Sequence, residues 1–189
     1  LDREFHFVLD ACAVKKSSVT PDYFGPDHEN PARRDCLTAD WGYAARAALG
    51  RMRGLQEGTG REIEVSEFYK MTHRPPAVWM NPPYGRGIGD FMVKARNAAL
   101  AEGVTVVALT FARVETAWWT RNVPGFASEV RFLGSRLKFL DPETMKPRLD
   151  KKGNPQGATA PSSLIIWHPW SPPMGHTVHT YIQIPSGCE

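Results

Sequence analysis

Apolar positions in this chain come in short unbroken runs, the pattern of strands covered on both faces rather than of half-exposed ones. Residues 5–12 read as the first strand, closing on an acid and small residues, so Asp10 is expected at its carboxyl end. Residues 77–80 and 104–111 are the next two runs. Residues 129–133, 137–140 and 163–168 follow as strands, with room for one more at 177–184. Between them, residues 43–56 set Ala44, Ala47, Ala48 and Met52 among Arg46, Arg51 and Arg53, which predicts a helix with a basic face that ends before Gly58 and Gly60. Residues 90–102 predict a second helix, with Asp90 as N-cap and Gly103 just past the end. Residues 116–121 predict a short third helix, and residues 35–41 a short strand or turn. Strand, helix and strand in succession over 77–111 is the unit that builds a parallel sheet, so the class is α/β.

A length of 189 residues suits one domain with a continuous core. Two stretches stand outside the regular pattern. Residues 43–76, polar and irregular beyond the helix, read as an insertion, and residues 141–161, rich in Pro, Gly, Lys and Asp, as a flexible loop. The chain opens on Leu1 already close to a strand, so residues preceding it are expected.

An apolar fraction of 42% with 23% charged residues excludes disorder, collagen and coiled coil. The net charge of +3 tolerates a phosphate-bearing partner without requiring one. Cys12, Cys36 and Cys188 are odd in number and irregular in spacing, fitting neither a zinc ligand set nor a disulfide framework, so a reducing cytoplasm is the expected setting. No metal is expected. No run approaches ~18 apolar residues, and no basic-then-apolar leader opens the chain, so neither membrane spanning nor export is expected.

The sharpest chemical signal is Asn81-Pro82-Pro83-Tyr84, at the end of the second run and before a Gly-rich turn and a helix. Consecutive prolines restrict their own backbones and keep Asn81 and Pro82 out of helix, giving a stiff extended loop with few amide donors. Such a loop suits methylation of an exocyclic amine, whose lone pair is delocalised into its ring. The Asn81 side-chain carbonyl and the Pro82 backbone carbonyl would accept the two amine hydrogens, and Tyr84 would stack on a base taken out of the duplex. Read as a bare tetrapeptide, the same string is a proline-rich turn or a ligand for a proline-binding module. Its place at a strand's carboxyl end, where open parallel sheets bind ligands, favours a catalytic loop.

Taken in order, Leu9-Asp10-Ala11-Cys12-Ala13, Tyr23-Phe24, Asp35-Cys36-Leu37, Asp40-Trp41 and Val78-Trp79-Met80-Asn81-Pro82-Pro83-Tyr84-Gly85-Arg86 resemble the Dam-like phage DNA N6-adenine methyltransferases. The likeness continues through residues 91–95, Thr116-Ala117-Trp118-Trp119, Gly134-Ser135-Arg136-Leu137-Lys138-Phe139 and residues 162–167, covering roughly 5–168. It implies a Rossmann-like methyltransferase fold with a mostly parallel central sheet and flanking helices, S-adenosylmethionine as cofactor and adenine in DNA as acceptor. It also implies that Asp10, Ala11, Cys12 and Ala13 form the cofactor loop and that Asp35 approaches the cofactor's adenosine end. The glycines of the wider methyltransferase first loop are replaced here by Ala11-Cys12-Ala13, and residues 43–76 are longer than the usual link.

Arg86, Arg136 and Lys138 are the expected DNA contacts, since they sit in the resembling segments. Arg46, Arg51, Arg53, Arg61, Arg113 and the loop cations Lys146, Arg148, Lys151 and Lys152 are further candidates, each with a solvated face as its ordinary alternative. Trp79, Trp118 and Trp119 read as packing residues. Two other functions stay open: a methyltransferase for another amine (cytosine N4, RNA or protein), and a catalytically silent DNA-binding or assembly module that keeps the fold.

Overall fold

The computed structural model of the protein describes residues 1–52, 74–138, 140–141, 144, 146–147, 149, 153, 156–170 and 176–182. Six strands form one sheet: β1 (Phe7–Asp10), β2 (Ala77–Met80), β3 (Thr105–Phe111), β4 (Glu129–Leu133), β5 (Ser162–Trp167) and β6 (Val178–Ile182), in the order β1-β2-β3-β5-β4-β6. The pairs β1/β2, β2/β3 and β4/β6 are parallel, whereas β5 runs antiparallel to both β3 and β4. Five strands therefore point one way and one the other: the α/β class read from the strand-helix-strand pattern holds, the sheet is mostly parallel as the resemblance implies, and β5 alone runs against the rest.

The unbroken apolar runs have the cause assigned to them. Leu164, Ile165, Ile166 and Trp167 on β5 are all buried, although they alternate between the two faces of the sheet. Each such side chain contributes about 1.5–3 kcal/mol, so a central strand gains from apolar residues at every position. The edge strand β6 lacks that cover, and Val178 and Tyr181 are exposed.

Helices α2 (Trp41–Met52), α3 (Ile88–Glu102) and α4 (Ala117–Asn122) pack on one face. Ala44, Ala45 and Ala48 of α2 and Ala95, Ala98 and Ala99 of α3 enter one cluster with Val78, Met80, Val106, Ile165 and Trp167. Alanine at these positions lets helix and sheet approach closely, while Trp41 and Met92 fill the volume between them. On the opposite face Phe7, Ala77, Val107, Leu109, Leu164 and Ile166 form a second cluster, joined by Phe5 of the short helix α1 (Asp2–Phe5) and by Leu137.

Several boundaries differ from expectation. Phe5 belongs to α1 rather than to the first strand, and residues 36–39 form a turn. Helix α3 starts at Ile88 with Gly87 as N-cap, so Asp90 lies inside the first turn, where it favours the helix dipole without capping an amide. Gly103 closes α3 in the left-handed conformation, φ 74°, as the sequence predicts. Among the described residues of the expected strand 137–140, Lys138 and Leu140 make only isolated bridges to Gly157 and Pro147, so Arg136 and Lys138 do not alternate along a ladder.

The start of the expected insertion is a core helix. Glu102, at the end of α3, accepts from the Trp41 and Gly42 amides at 2.7 and 3.0 Å, supplying the N-terminal donors of α2 with a carboxylate 60 residues away in sequence. Lys94 holds the other carboxylate oxygen, and Arg46 donates to the Glu102 carbonyl. Arg51 pairs with Asp22. Arg46 and Arg51 of the basic face expected on this helix each have a protein partner, and Arg51 remains exposed. Arg53, Arg61 and the rest of residues 53–73 lie outside the described residues, as do Arg148, Lys151 and Lys152. No described helix is long and apolar enough to cross a membrane.

Candidate active site

The parallel register sets the site. Asp10 on β1 lies opposite Trp79 on β2, and the Ala11 amide donates to the Trp79 carbonyl at 2.8 Å. Residues 11–13 and Asn81-Pro82-Pro83-Tyr84 therefore leave the sheet side by side at the same end. On the outer edge of β1 a third segment joins them. The Asp10 amide donates to the Asp22 carbonyl, and the Phe24 amide donates to the Asp10 carbonyl. The Ala13 amide donates to the Phe24 carbonyl at 3.0 Å.

These loops enclose a first cavity of about 480 Å³, whose walls include Cys12, Ala13, Phe24, Gly25, Asp35 and Cys36, with Asn81, Pro83 and Phe91 closing the other side. Of the five residues expected at a cofactor, Cys12, Ala13 and Asp35 line this cavity. Asp10 and Ala11 lie beneath it. Asp10 is buried, and its two carboxylate oxygens accept from the amides of Cys12 at 3.2 Å and Val19 at 3.1 Å, so the side chain ties down the loop that forms the wall. Burial raises its pKa against the opposing pull of those two amides. Asp35 accepts from the Leu37 amide at 2.9 Å, a local turn that holds its carboxylate at the rim.

A second cavity of about 450 Å³ lies across the Asn-Pro-Pro-Tyr loop, lined by Asn81, Pro82, Pro83, Tyr84, Phe111 and residues 156–159. Asn81 and Pro83 are shared by both cavities, so the loop is the partition between them. The Tyr84 ring stacks on Phe111 with centroids 4.2 Å apart, and its hydroxyl donates to Asn81 Oδ1 at 2.9 Å. Burial pushes the Tyr84 pKa up to about 12, so the phenol keeps its proton near neutral pH and acts as a donor that orients Asn81. An amide oxygen has two lone pairs, leaving acceptor capacity for an incoming N–H.

A third cavity, about 500 Å³, shares Tyr84 and Phe111 with the second and is lined also by Arg86, Arg113, Thr116 and Trp118 among others. Arg86 and Arg113 are exposed there. Arg136 and Lys138 stand elsewhere, exposed beside Gly157, which belongs to the second cavity. Trp119 is buried in the core and Trp79 packs against the second apolar cluster, whereas Trp118 is only half-buried. Among the described residues no group of three or more His, Cys, Asp or Glu forms a potential metal site.

Reading the sequence alone missed three features. Phe111 lies 27 residues beyond Tyr84, at the end of the next strand, and becomes its stacking partner only through the β2/β3 pairing. Gly25 and Phe91 carry no local signal for a ligand cavity. The Sγ atoms of Cys12 and Cys36, 24 residues apart, approach to 3.7 Å.

No curated protein matches the sequence. The DNA N-6-adenine-methyltransferase (Dam) family matches residues 69–185, more than half of the chain. That span holds Asn81-Pro82-Pro83-Tyr84, Arg86, Arg136 and Lys138, and leaves out Asp10–Ala13 and Asp35. With an Asn-Pro-Pro-Tyr partition at the carboxyl end of an interior strand of a mixed α/β sheet and this match over most of its length, the chain belongs to the DNA N-6-adenine-methyltransferase (Dam) family.

Proposed function

We propose that the protein transfers the methyl group of S-adenosylmethionine to the N6 amine of an adenine rotated out of duplex DNA, on a Rossmann-like methyltransferase fold. The observation that carries this reading is the position of Asn81 and Pro83 in the wall shared by two cavities, one for a methyl donor and one for an acceptor base. A single antiparallel strand inserted in an otherwise co-directional sheet supports the fold reading.

The first cavity fits the donor by size and chemistry. Its volume lies in the range for a small-molecule ligand, Phe24 and Phe91 offer apolar and aromatic surface, and Asp35 offers an acceptor at the rim. Cys12, Ala13 and Asp35 would touch the ligand, with Asp10 and Ala11 holding the loop from below. The bound cofactor supplies an electrophilic methyl group. Asn81 Oδ1 and the Pro82 carbonyl accept the two N6 hydrogens and turn the nitrogen lone pair toward it, while Tyr84 presents a flat face to the base. The methylated amine then releases one proton to water. Tyr84, held protonated, does not serve as the base, so the rate comes from positioning and fixed dipoles.

On the DNA side, Arg86 and Arg113 border the third cavity and are read as phosphate contacts, with Arg136 and Lys138 along the rim of the second. Replacing Arg86 and Arg113 together by Ala is expected to weaken DNA binding about equally for all sequences. The slope of log affinity against log salt should shrink by about 0.9 per lost phosphate contact, near 2 for the pair. Fluorescence anisotropy with a labelled duplex between about 50 and 200 mM salt measures this, and an unchanged slope sinks the assignment.

The decisive test is transfer of labelled methyl from S-adenosylmethionine to unmethylated duplex DNA, followed by nucleoside analysis. Label in N6-methyladenine is the expected outcome. Label in N4-methylcytosine, or only in RNA or protein, would replace the acceptor, and donor binding without turnover on any acceptor would favour a silent DNA-binding module.

A further inference from the structure

We infer that Cys12 and Cys36 are a reversible redox modification site in the wall of the first cavity: low-molecular-weight disulfides of the glutathione type oxidise the pair to a disulfide, and the cross-link weakens methyl-donor binding. The effect on binding rests on reading this cavity as the donor site. The cross-link itself does not.

Both cysteines are free thiols, half-buried, and line the same cavity, so a small reagent that enters it reaches both sulfurs. Their Sγ atoms lie 3.7 Å apart. A disulfide bond is about 2.05 Å long, so closure needs an approach of only ~1.7 Å. The backbones on either side are anchored. The Cys12 amide donates to buried Asp10, and the carbonyl of Cys36 accepts from the indole of fully buried Trp41 at 2.7 Å. Side-chain rotation into the cavity, more than loop movement, therefore closes the bond. The order of attack follows from the contact between the thiols. Either sulfur can donate in this contact, and ionisation favours Cys36: as a thiolate it accepts from the Cys12 S–H, which lowers the Cys36 pKa, while the same contact and burial raise that of Cys12.

Cys36 thiolate accordingly attacks one sulfur of the small disulfide, whose S–S bond breaks and whose other half leaves as a thiolate that takes a proton from water. Cys12 gives its proton to water and attacks Cys36 Sγ in the mixed disulfide, displacing the second small thiol. Two protein thiols are oxidised, and one small disulfide is reduced to two thiols. The new bond pins the loop after β1 to the turn after Asp35 across the cavity wall, where Cys12, Ala13 and Asp35 would meet the donor. By linkage, bound donor must disfavour the cross-link to the same degree that the cross-link disfavours donor.

The test treats the full chain with oxidised glutathione, traps remaining thiols by alkylation, and maps disulfide-linked peptides by mass spectrometry. S-adenosylmethionine binding is measured by calorimetry before oxidation, after it, and after dithiothreitol. The expected result is a Cys12–Cys36 peptide, donor affinity reduced about tenfold or more, and recovery on reduction. Saturating donor should slow cross-linking, and Cys36→Ser should give the same donor affinity with and without oxidant. Absence of the Cys12–Cys36 peptide, or cross-links confined to Cys188, overturns the proposal, and so does a cross-link that leaves donor affinity unchanged. If the reduced protein binds no donor, the methyl-donor reading of the cavity fails and the gating effect with it, while the peptide map still decides whether the dithiol exists.

Discussion

Asn81→Ala is expected to lower the rate of methyl transfer about 100- to 1000-fold, the usual cost of removing one fixed dipole aimed at the reacting group. The side chain has two neighbours to satisfy. Its Oδ1 already accepts from the Tyr84 hydroxyl at 2.9 Å, and its remaining lone pair is the one assigned to the substrate amine. Truncation removes the acceptor and frees Tyr84 to rotate away from it, so orientation is lost together with polarity. Donor affinity should change only a few-fold, because Asn81 is one of fourteen described residues lining the first cavity. The effect should therefore fall on kcat rather than on the donor KM. Asn81→Asp keeps an oxygen acceptor for both partners and should retain much more activity than Ala. Single-turnover transfer with saturating donor separates these outcomes. If Asn81→Ala transfers methyl at the wild-type rate, the loop is not the catalytic partition.

Gly25→Ala is expected to be the most damaging small substitution among the cavity residues. A Cβ at this position would stand 1.7 Å from the Ala13 carbonyl oxygen and 2.9 Å from its carbon. Both obstacles are backbone, so no rotamer change relieves the overlap. Segment 24–25 must instead part from residue 13, breaking the Ala13–Phe24 hydrogen bond that closes the wall. Overpacking of this kind costs about 1–3 kcal/mol, a fall in Tm of roughly 2–12 °C for a protein of this size. The larger effect is on the ligand. With the wall displaced, the rise in Tm on adding S-adenosylmethionine should vanish, which a pair of thermal melts with and without donor reads directly. Gly89→Ala provides the contrast: its Cβ would meet only the Trp118 Cβ at an ordinary 3.6 Å, and the substitution should be neutral or mildly stabilising in α3. Wild-type melting and an intact donor shift in Gly25→Ala would mean that the close approach is not required for the cavity.

The two substitutions mark the division between what was legible in the sequence and what was not. Asn81 announces itself because its signals are local: an apolar strand, two prolines that stiffen the backbone and a Gly-rich turn are contiguous over about a dozen residues. Strand runs, the left-handed Gly103 cap and the core helix after Ile88 are legible for the same reason, since each depends on neighbours within a turn or two. Gly25 has no such context. Its necessity comes from residue 13, which reaches it only because residues 22–24 pair with the outer edge of β1.

Charged residues show the same limit. Arg46, Arg51 and Arg86 look alike in the sequence, yet Arg46 ends on the Glu102 carbonyl and Arg51 on Asp22, whereas Arg86 borders a cavity beside the Asn-Pro-Pro-Tyr loop. A guanidinium gains nearly as much from water as from a surface carboxylate, so local sequence does not select between them and proximity in the fold does. By itself the sequence determined the class of sheet, the stiff Asn-Pro-Pro-Tyr loop and its place at a strand end, because backbone restriction and hydrophobic periodicity act over short distances. Only the tertiary structure decided that Asn81 would divide two cavities, that Phe111 would back Tyr84 and that Cys12 would meet Cys36, because each of those contacts requires strands and loops far apart in the chain to be paired in register first.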